Sequence, residues 1–424
     1  MNEALQELAE ACQKDFGLEN YYLKRYNIFR EDNPTIDNDY LFSMEWFPKD
    51  TQEVEEDLNP PGTAVVEIEL HSKKLRHFSF VQGVNLVEDQ IFPQLKDGSE
   101  TVIEWVEELT GLEFGRQFQL AEETDDGIHL LAAADNIPVF PVGTIDVTFN
   151  EDGLLSHFSK DGSFPGEDQI KWEPFALTSA IVDPIILDQM QLLEIPLEEQ
   201  ERWLAVYGTT TTFITNDQQK VIPYEKAEMR DSYSVIDKNI DWENGSVEDT
   251  FEAIDIDLSD EVSIEEALAG PPNKNTQPIT SGDKEKSFQA VQSFLQQKYP
   301  DDNNKWKLHT LSRERGYIIA ELRPKVQDKK VIQQKLSLFL DATTYTVLNF
   351  TDNHFILEMF SHLEEAESPN LTKDEAFEKL HNHIEVSPVY VYDPVSATYQ
   401  LCGKVDCSYG VDAATGEVIL LDEL

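Results

Sequence analysis

The sequence predicts an α+β protein of tandem modules, each with one helix packed on a small antiparallel β-sheet, in two halves joined by an acidic linker. Three observations carry this expectation. One pattern occurs three times, at Ala64–Phe78 (AVVEIELHSKKLRHF), Thr144–Phe158 (TIDVTFNEDGLLSHF) and Lys335–Phe350 (KLSLFLDATTYTVLNF): apolar residues alternate, a polar turn follows, and an apolar stretch closes on Phe. Alternation with period two marks a half-buried strand, and self-similar segments mark a repeated supersecondary unit. Each copy follows a segment of helical periodicity and a further strand candidate. Acids dominate residues 231–283, which end in the breaker-rich run GPPNKNTQPITSGD, so a boundary is expected there.

The first module is expected over residues 1–92. In its opening segment Leu5, Leu8, Ala9 and Cys12 fall near one helical face. That segment lacks a basic n-region and a continuous apolar stretch, so it does not read as a signal peptide. Strands are expected at 21–29 and 40–46 and a hairpin at 64–80, with the acidic, Pro-containing segment 48–62 as an exposed loop.

The second region, 97–230, is expected to hold two units. Val102, Trp105, Val106, Leu109 and Leu112 make a helical stripe that Gly111 should stop. Strands at 114–121 and 128–133 and a Pro-marked connection at 136–143 lead into the hairpin, whose turn is Asn150-Glu151-Asp152-Gly153. An Asp-Gly pair supplies the positive φ that a tight hairpin turn needs. In the second unit, 177–197 reads as a helical region broken at Pro184 and Pro196, followed by strands at 203–207, 210–214 and 220–224. Within the linker, Ile254, Ile256 and Leu258 alternate and suggest one edge strand, and Ser263-x-x-Glu266 suggests a capping box.

The last region, 284–424, is likewise expected to hold two units. A helix at 284–299 places Phe288, Val291, Phe294 and Leu295 on one face, and strands at 306–311 and 317–322 precede the third hairpin. Thr372-x-x-Glu375 opens a short helix bearing Ala376, Phe377 and Leu380, followed by strands at 389–392, 399–405, 407–411 and 418–421. Two further echoes tie the modules together. YLFSMEWFP at Tyr40 matches YIIAELRP at Tyr317, and Asp341–Val347 shares the pattern D-A-x-T-x-x-V with Asp412–Val418. The Asp of that pattern can accept backbone N–H bonds across its turn.

With 82 acidic against 33 basic residues, the formal net charge is −49. Such a surface repels phosphate backbones and the anionic cytoplasmic leaflet, so neither a nucleic-acid partner nor membrane insertion is expected. No window approaches a membrane span, and cytoplasmic residence is the default. The cysteines are three, Cys12, Cys402 and Cys407, too few for a disulfide scaffold. On one continuous strand the last two would face opposite ways, so bridging them would require a bend near Gly403.

Motifs for chemistry are sparse. His381 and His383 in HNH point about 200° apart on a helix of 3.6 residues per turn, and read as solvated helix-end histidines rather than ligands of one metal ion. Asp255 and Asp257, and Asp301-Asp302-Asn303, lack the central Gly and terminal Glu of a calcium loop and read as loop acids. With so many acids, carboxylate pairing has no diagnostic value. Trp46, Trp172, Trp203, Tyr207 and Tyr317 read as core. No catalytic, cofactor-binding or metal-ligating residue is therefore assigned.

The segments LTKDEAFEKL (Leu371–Leu380), PVYVYD (Pro388–Asp393), YGVDAATGEVILLDE (Tyr409–Glu423) and NIPVFPVGTIDVTFNEDGLLSHF (Asn136–Phe158) resemble PepSY-type modules, particularly the YcdB/YcdC-like repeat proteins of spore-forming bacteria. The resemblance spans roughly 97–230 and 284–424, with the first module a weaker copy. It implies a cystatin-like helix on an antiparallel sheet in each unit and a non-catalytic role, such as protein binding or peptidase regulation. No cofactor and no site residue is carried over. The expected function is a cytoplasmic binding or regulatory protein that offers sheet edges or faces to a protein partner. The alternatives are a hydrolase with a carboxylate site in an inter-module groove and a salt-tolerant protein without a specific ligand.

Overall fold

A computed structural model describes residues 2–31, 39–50, 58–88, 91–227, 232–243, 251–271, 273–326 and 329–424. The architecture is mixed α+β, with several sheets and few helices, divided into two compact units. Each unit draws on three stretches of sequence, where contiguous modules were expected.

The first unit comprises Met1–Lys171, Asp260–Asn273 and Tyr390–Gln400. Its opening helix, Glu3–Asp15, starts at Asn2, whose side chain accepts from the Leu5 N–H at 2.9 Å. The strands Tyr21–Glu31, Asp39–Pro48, Ala64–Glu69 and Leu75–Phe80 then form an antiparallel meander. The second helix, Ser99–Thr110, ends as expected at Gly111, in the left-handed conformation with φ +72°. After it come Phe118–Thr124, Gly127–Ala134, Thr144–Phe149 and Leu155–Asp161, paired in the order first, second, third, fourth. The first of these begins later than position 114, because the chain turns at Gly115 (φ +79°), whose N–H donates to the Phe118 carbonyl at 2.7 Å. Residues 137–140, expected as a connection, form a short strand beside Ala133 and Ala134 and run parallel to Tyr390 and Val391.

The two four-stranded sets join edge to edge. Leu75–Phe80 lies antiparallel to Leu155–Asp161, with His77 opposite Ser159, Phe78 opposite Phe158, and Ser79 opposite His157. Leu5, Ala9 and Cys12 of one helix and Val102 and Val106 of the other pack with Phe42, Met44, Val66, Phe78, Val147 and Phe158 in one core. The helices thus bury alternate residues of the central strands, such as Ala64–Glu69 and Thr144–Phe149, and the residues between them face the other way.

The second unit comprises Trp172–Ser259, Lys274–Val389 and Leu401–Leu424. One part is a five-stranded antiparallel sheet in the order Tyr233–Asn239, Trp306–Glu314, Tyr317–Pro324, Leu336–Asp341, Val347–Asp352. The helix Ser281–Lys298 covers it, with Val291, Phe294 and Leu295 packed on Leu308, Ile318, Leu322, Leu338 and Leu340. The other part packs Ser179–Gln189 and Lys373–Leu380 against strands that include Arg202–Gly208 and Tyr409–Asp412.

Several expectations change here. Pro184 sits inside Ser179–Gln189, but residues 191–197 form a strand and not a continuation of the helix. Pro196 is tolerated because that strand is the outermost of its sheet, where a missing N–H costs no central ladder bond. The acidic stretch is more than a linker: Tyr233–Asn239 is a sheet strand, and Ile264–Ala269 is a helix capped by Ser263 that buries Ala267 in the first unit's core. Ile254–Leu258 is not a strand. Ile254 alone engages a ladder, donating its N–H to the Leu348 carbonyl at 2.9 Å and accepting from the Asn349 side chain at 2.9 Å. Within the expected loop 48–62, residues 51–57 lie outside the described residues; within the expected linker, so do 231, 244–250 and 272.

The three cysteines are free. Burial pushes the thiols of Cys12 and Cys402 up to about 12. Cys407 lies beyond the end of the strand Thr398–Asp406 and donates to the Tyr409 carbonyl. Gly403 does not bend that strand toward a disulfide. It gives room to Leu177, whose Cδ1 would stand 2.7 Å from a Cβ at that position. Among the described residues, no helix is long and apolar enough to cross a membrane.

The recurring hairpin has a definable turn. Glu69, Asn150, Asp341 and Asp412 each donate an N–H to the carbonyl of the residue that re-enters the strand, respectively Lys74, Leu154, Thr346 and Glu417, at 2.8–3.0 Å. Each also accepts from the residue just before that one, namely Lys73, Gly153, Tyr345 and Gly416. All four of those residues have positive φ: +59°, +73°, +62° and +75°. The carboxylates of Asp341 and Asp412 accept two further backbone N–H groups across the turn, as their shared pattern suggested. In the three longer hairpins a register shift falls beside the turn, at Ile68, Phe149 and Leu340.

Candidate functional site

The sheet face opposite the helices of the first unit carries a continuous polar row. By register, Ser43 lies beside Glu67, Glu67 beside His77, His77 beside Ser159, Ser159 beside Asp146, and Asp146 beside His129. The row crosses six strands, and its midpoint is the junction where the two His-Phe-Ser triplets meet antiparallel. Because strand side chains alternate, the Phe of each triplet enters the core while the His and Ser are set on the opposite face, half-buried except for the buried Ser159.

The row is hydrogen-bonded locally. Ser43 Oγ donates to Glu67 Oε1 at 3.1 Å, His77 Nε2 and Ser79 Oγ are 2.8 Å apart, and His129 Nδ1 lies 2.6 Å from Asp146 Oδ1. His77 and His157 meet edge to face with ring centroids 4.9 Å apart. Burial lowers the His77 pKa below the ordinary histidine value; burial and then the neighbouring His77 do the same to His157. Burial raises the Glu67 carboxyl, against the hydrogen bond from Ser43 that lowers it. At the end of the hairpin Arg76, 3% exposed, lies 3.8 Å from Glu69 and 4.0 Å from Asp161.

The five-stranded sheet of the second unit presents a similar face. Thr310, Glu321, Ser337 and Thr351 follow one another across its strands. They help line a cavity of about 470 Å³ together with Tyr233, Leu258, Lys335 and Phe339. Burial pushes the Glu321 carboxyl up, but bonds from Lys335 Nζ at 2.5 Å and Arg323 Nε at 2.8 Å outweigh it and hold the group below the ordinary range. Glu45 occupies the matching place in the first unit, three residues before Pro48 as Glu321 is before Pro324. It pairs with Arg25 Nε at 2.5 Å and lines a cavity of about 310 Å³. Both faces set hydrogen-bonding side chains near an ion-paired glutamate, Glu321 within its row and Glu45 two residues along the strand from Ser43, an arrangement suited to recognition of a polar surface.

Residues singled out in the sequence go elsewhere. His381 Nε2 lies 3.0 Å from Asp183 Oδ2, and donation from the protonated ring to that carboxylate raises its pKa; His383 packs on Tyr409 with centroids 4.3 Å apart. Asp257 caps its own turn by accepting from the Ser259 N–H, and Asp302 pairs with Lys305 at 2.7 Å. Among the described residues, no three His, Cys, Asp or Glu side chains are grouped to hold a metal ion. Trp46 and Trp203 are buried, but Trp172 is 49% exposed and is not core. The polar row was not foreseen. Its signal was present in the sequence, since the triplets His77-Phe78-Ser79 and His157-Phe158-Ser159 are identical and close the first two echoes.

The fold and these faces define a mixed α+β protein with helix-covered sheets open on the opposite side. No family model and no curated protein matches the chain. Among solved structures, the chain is similar to the Bacillus megaterium YpeB C-terminal domain, at 7% identity, over 83% of this chain and 97% of that chain, with a TM-score of 0.25. A likeness of that degree transfers neither residues nor activity.

Proposed function

We propose that this chain is a non-catalytic binding protein that presents the open faces of its sheets to a protein partner. The observation that carries the reading is the six-strand polar row from Ser43 to His129, built in register on a face the core helices leave uncovered. Such a row offers side-chain donors and acceptors at strand spacing, which favours an extended or sheet-like surface. Faces are preferred here to edges for a structural reason. Asp260–Val262 bonds along the outer strand Tyr21–Glu31, and Ile254 bonds along Val347–Asp352, so both edges are guarded in the chain itself. The PepSY-like sequence features make a peptidase, or a protein that controls one, the first partner to test. Three unpaired thiols suit a reducing compartment, and a cytoplasmic setting is part of the proposal.

Affinity capture with three baits tests the reading: the wild-type chain, an Asn27→Arg/Ser43→Arg variant of the open face, and a Glu265→Arg control at an exposed position of the helix Ile264–Ala269. A partner held by the wild type and control but weakened tenfold or more by the face variant supports the proposal. A partner held equally by all three refutes it. Glu67→Gln serves the rival hydrolase reading, since a turnover abolished by that change would identify catalysis on this face.

A further inference from the structure

The third hairpin ends on the same strand pattern as the first two, but among the described residues its outer edge pairs with no further strand. By register, Phe350 lies opposite Leu338 as Phe78 lies opposite Val66 and Phe158 opposite Val147, each next to the shifted pair beside the turn. Asn349-Phe350-Thr351 therefore stands where the other two copies have His-Phe-Ser. In the first unit, those two equivalent edges dock on each other, antiparallel, Phe against Phe and His against Ser. In the second unit Val347–Asp352 is the outermost strand of its sheet.

What lies along that edge is a short acidic segment. Ile254 contributes one backbone bond to Leu348 and accepts one side-chain bond from Asn349, while Phe251 packs on Phe294 and Phe350 with centroids 5.0 and 5.8 Å away. Ile254 bonds into the ladder at one point, and the described residues of the segment form no strand there. Ile254 is 56% exposed, which leaves it little apolar burial to hold it there.

We propose that Val347–Asp352 is a homotypic docking edge whose occupant is the same edge of a second copy of this chain, and that the segment around Ile254 guards it. The two copies pair antiparallel about a two-fold axis at Phe350, with Asn349 opposite Thr351 and Asp352 opposite Leu348. No like charges then face each other in the ladder, and the polar pair repeats the His–Ser pairs of the first unit. The inference rests on the edge and not on the open-face reading, and either can fail alone.

Sedimentation velocity on the full chain at micromolar concentration tests it. Ile254→Pro removes the N–H that bonds to Leu348, and this variant is expected to shift the chain from monomer toward dimer by at least tenfold in association constant. Adding Asn349→Asp and Thr351→Asp sets like charges opposite each other and is expected to restore the monomer. Independently, Asn349→Cys/Thr351→Cys in the otherwise native chain is expected to give a covalent dimer under a glutathione redox buffer, linked 349 to 351. A folded Ile254→Pro variant that stays monomeric overturns the proposal, as does a dimer indifferent to the two aspartates. If Ile254→Pro does not fold, absence of the 349–351 link in the cysteine variant overturns it.

Discussion

Asp283 offers the sharpest quantitative test of what holds the second unit together. It is the third residue of the helix Ser281–Lys298, closes a capping box with Thr280, and is 5% exposed. Its Oδ2 accepts from the Thr280 N–H at 2.8 Å, the Thr280 hydroxyl at 2.7 Å and Arg313 Nη2 at 2.8 Å; its Oδ1 accepts from the Tyr345 hydroxyl at 2.6 Å. Burial alone would raise the carboxyl, but these donors outweigh it and bring the pKa from 3.8 to about 2. At about 1.4 kcal/mol per pKa unit, that depression contributes roughly 2–3 kcal/mol to the folded state at neutral pH. The sign follows from linkage. The folded value lies below the unfolded one, so the contribution is complete above about pH 4 and is lost as pH falls through about 2. Asp283→Asn is expected to cost about 2–3 kcal/mol at pH 7, since bonds to a charged acceptor are replaced by weaker neutral ones. Hydrogen exchange of the amides at 280–298, read between pH 2 and 7 with correction for intrinsic rates, isolates this helix from the rest of a multi-core chain. Unchanged protection in Asp283→Asn would refute the reasoning, as would a wild-type protection curve that ignores the carboxylate range.

Three further outcomes follow from the first unit. Phe158→Ala should destabilise it by about 3–5 kcal/mol, the usual cost of emptying a fully buried aromatic site, and Phe78→Ala should add less than its own effect because the two residues are cross-strand partners in one core at the module junction; calorimetry of single and double variants measures this. His77 and His157 are held neutral by burial, so their contribution is present above the ordinary histidine pKa of about 6.5 and is lost as pH falls below it. His157→Asn should flatten that part of the pH–stability curve, and an unchanged slope counts against the pair. Lys73→Gly should stabilise the first hairpin by about 0.5–1 kcal/mol, since a lysine at φ +59° carries left-handed strain that glycine lacks; a lowered melting temperature would contradict this.

Much of the fold was legible in the sequence because each hairpin states its own burial pattern. Val66 and Ile68, Ile145 and Val147, and Leu336 and Leu338 are each separated by one polar residue, and all six are buried. The Asp turns were legible for the same reason, as their carboxylates close local backbone bonds. What the sequence hid was non-local. That residues 233–239 complete a sheet whose next strand begins at Trp306, and that residues 260–262 lie along Tyr21–Glu31, depends on pairing across long separations that no local pattern encodes. Trp172 misled for a related reason, since aromatic character sets a tendency to burial and the surrounding chain decides it. The polar row was half visible: the triplet repeat can be read directly, but its self-pairing requires knowing which edges meet.

Those guarded edges also change the meaning of the acidic stretch. A net charge of −49 keeps chains apart in solution, but charge acts at long range and is screened by salt, whereas an open strand edge recruits partners at contact distance. The stretch acts at both ranges. Asp260 gives its carbonyl to the Arg30 N–H at 2.7 Å and Val262 bonds back to Ile28 at 2.8 Å, so one edge is occupied by short main-chain pairing. Ile254 does the same at Leu348 with a single ladder bond. The carboxylates of Asp257 and Glu261 stay on the outside of these contacts, where they repel other acidic chains approaching the same edges. Removing charge without releasing the edges should therefore leave the chain monomeric even in high salt, whereas releasing an edge should permit association once salt screens the repulsion.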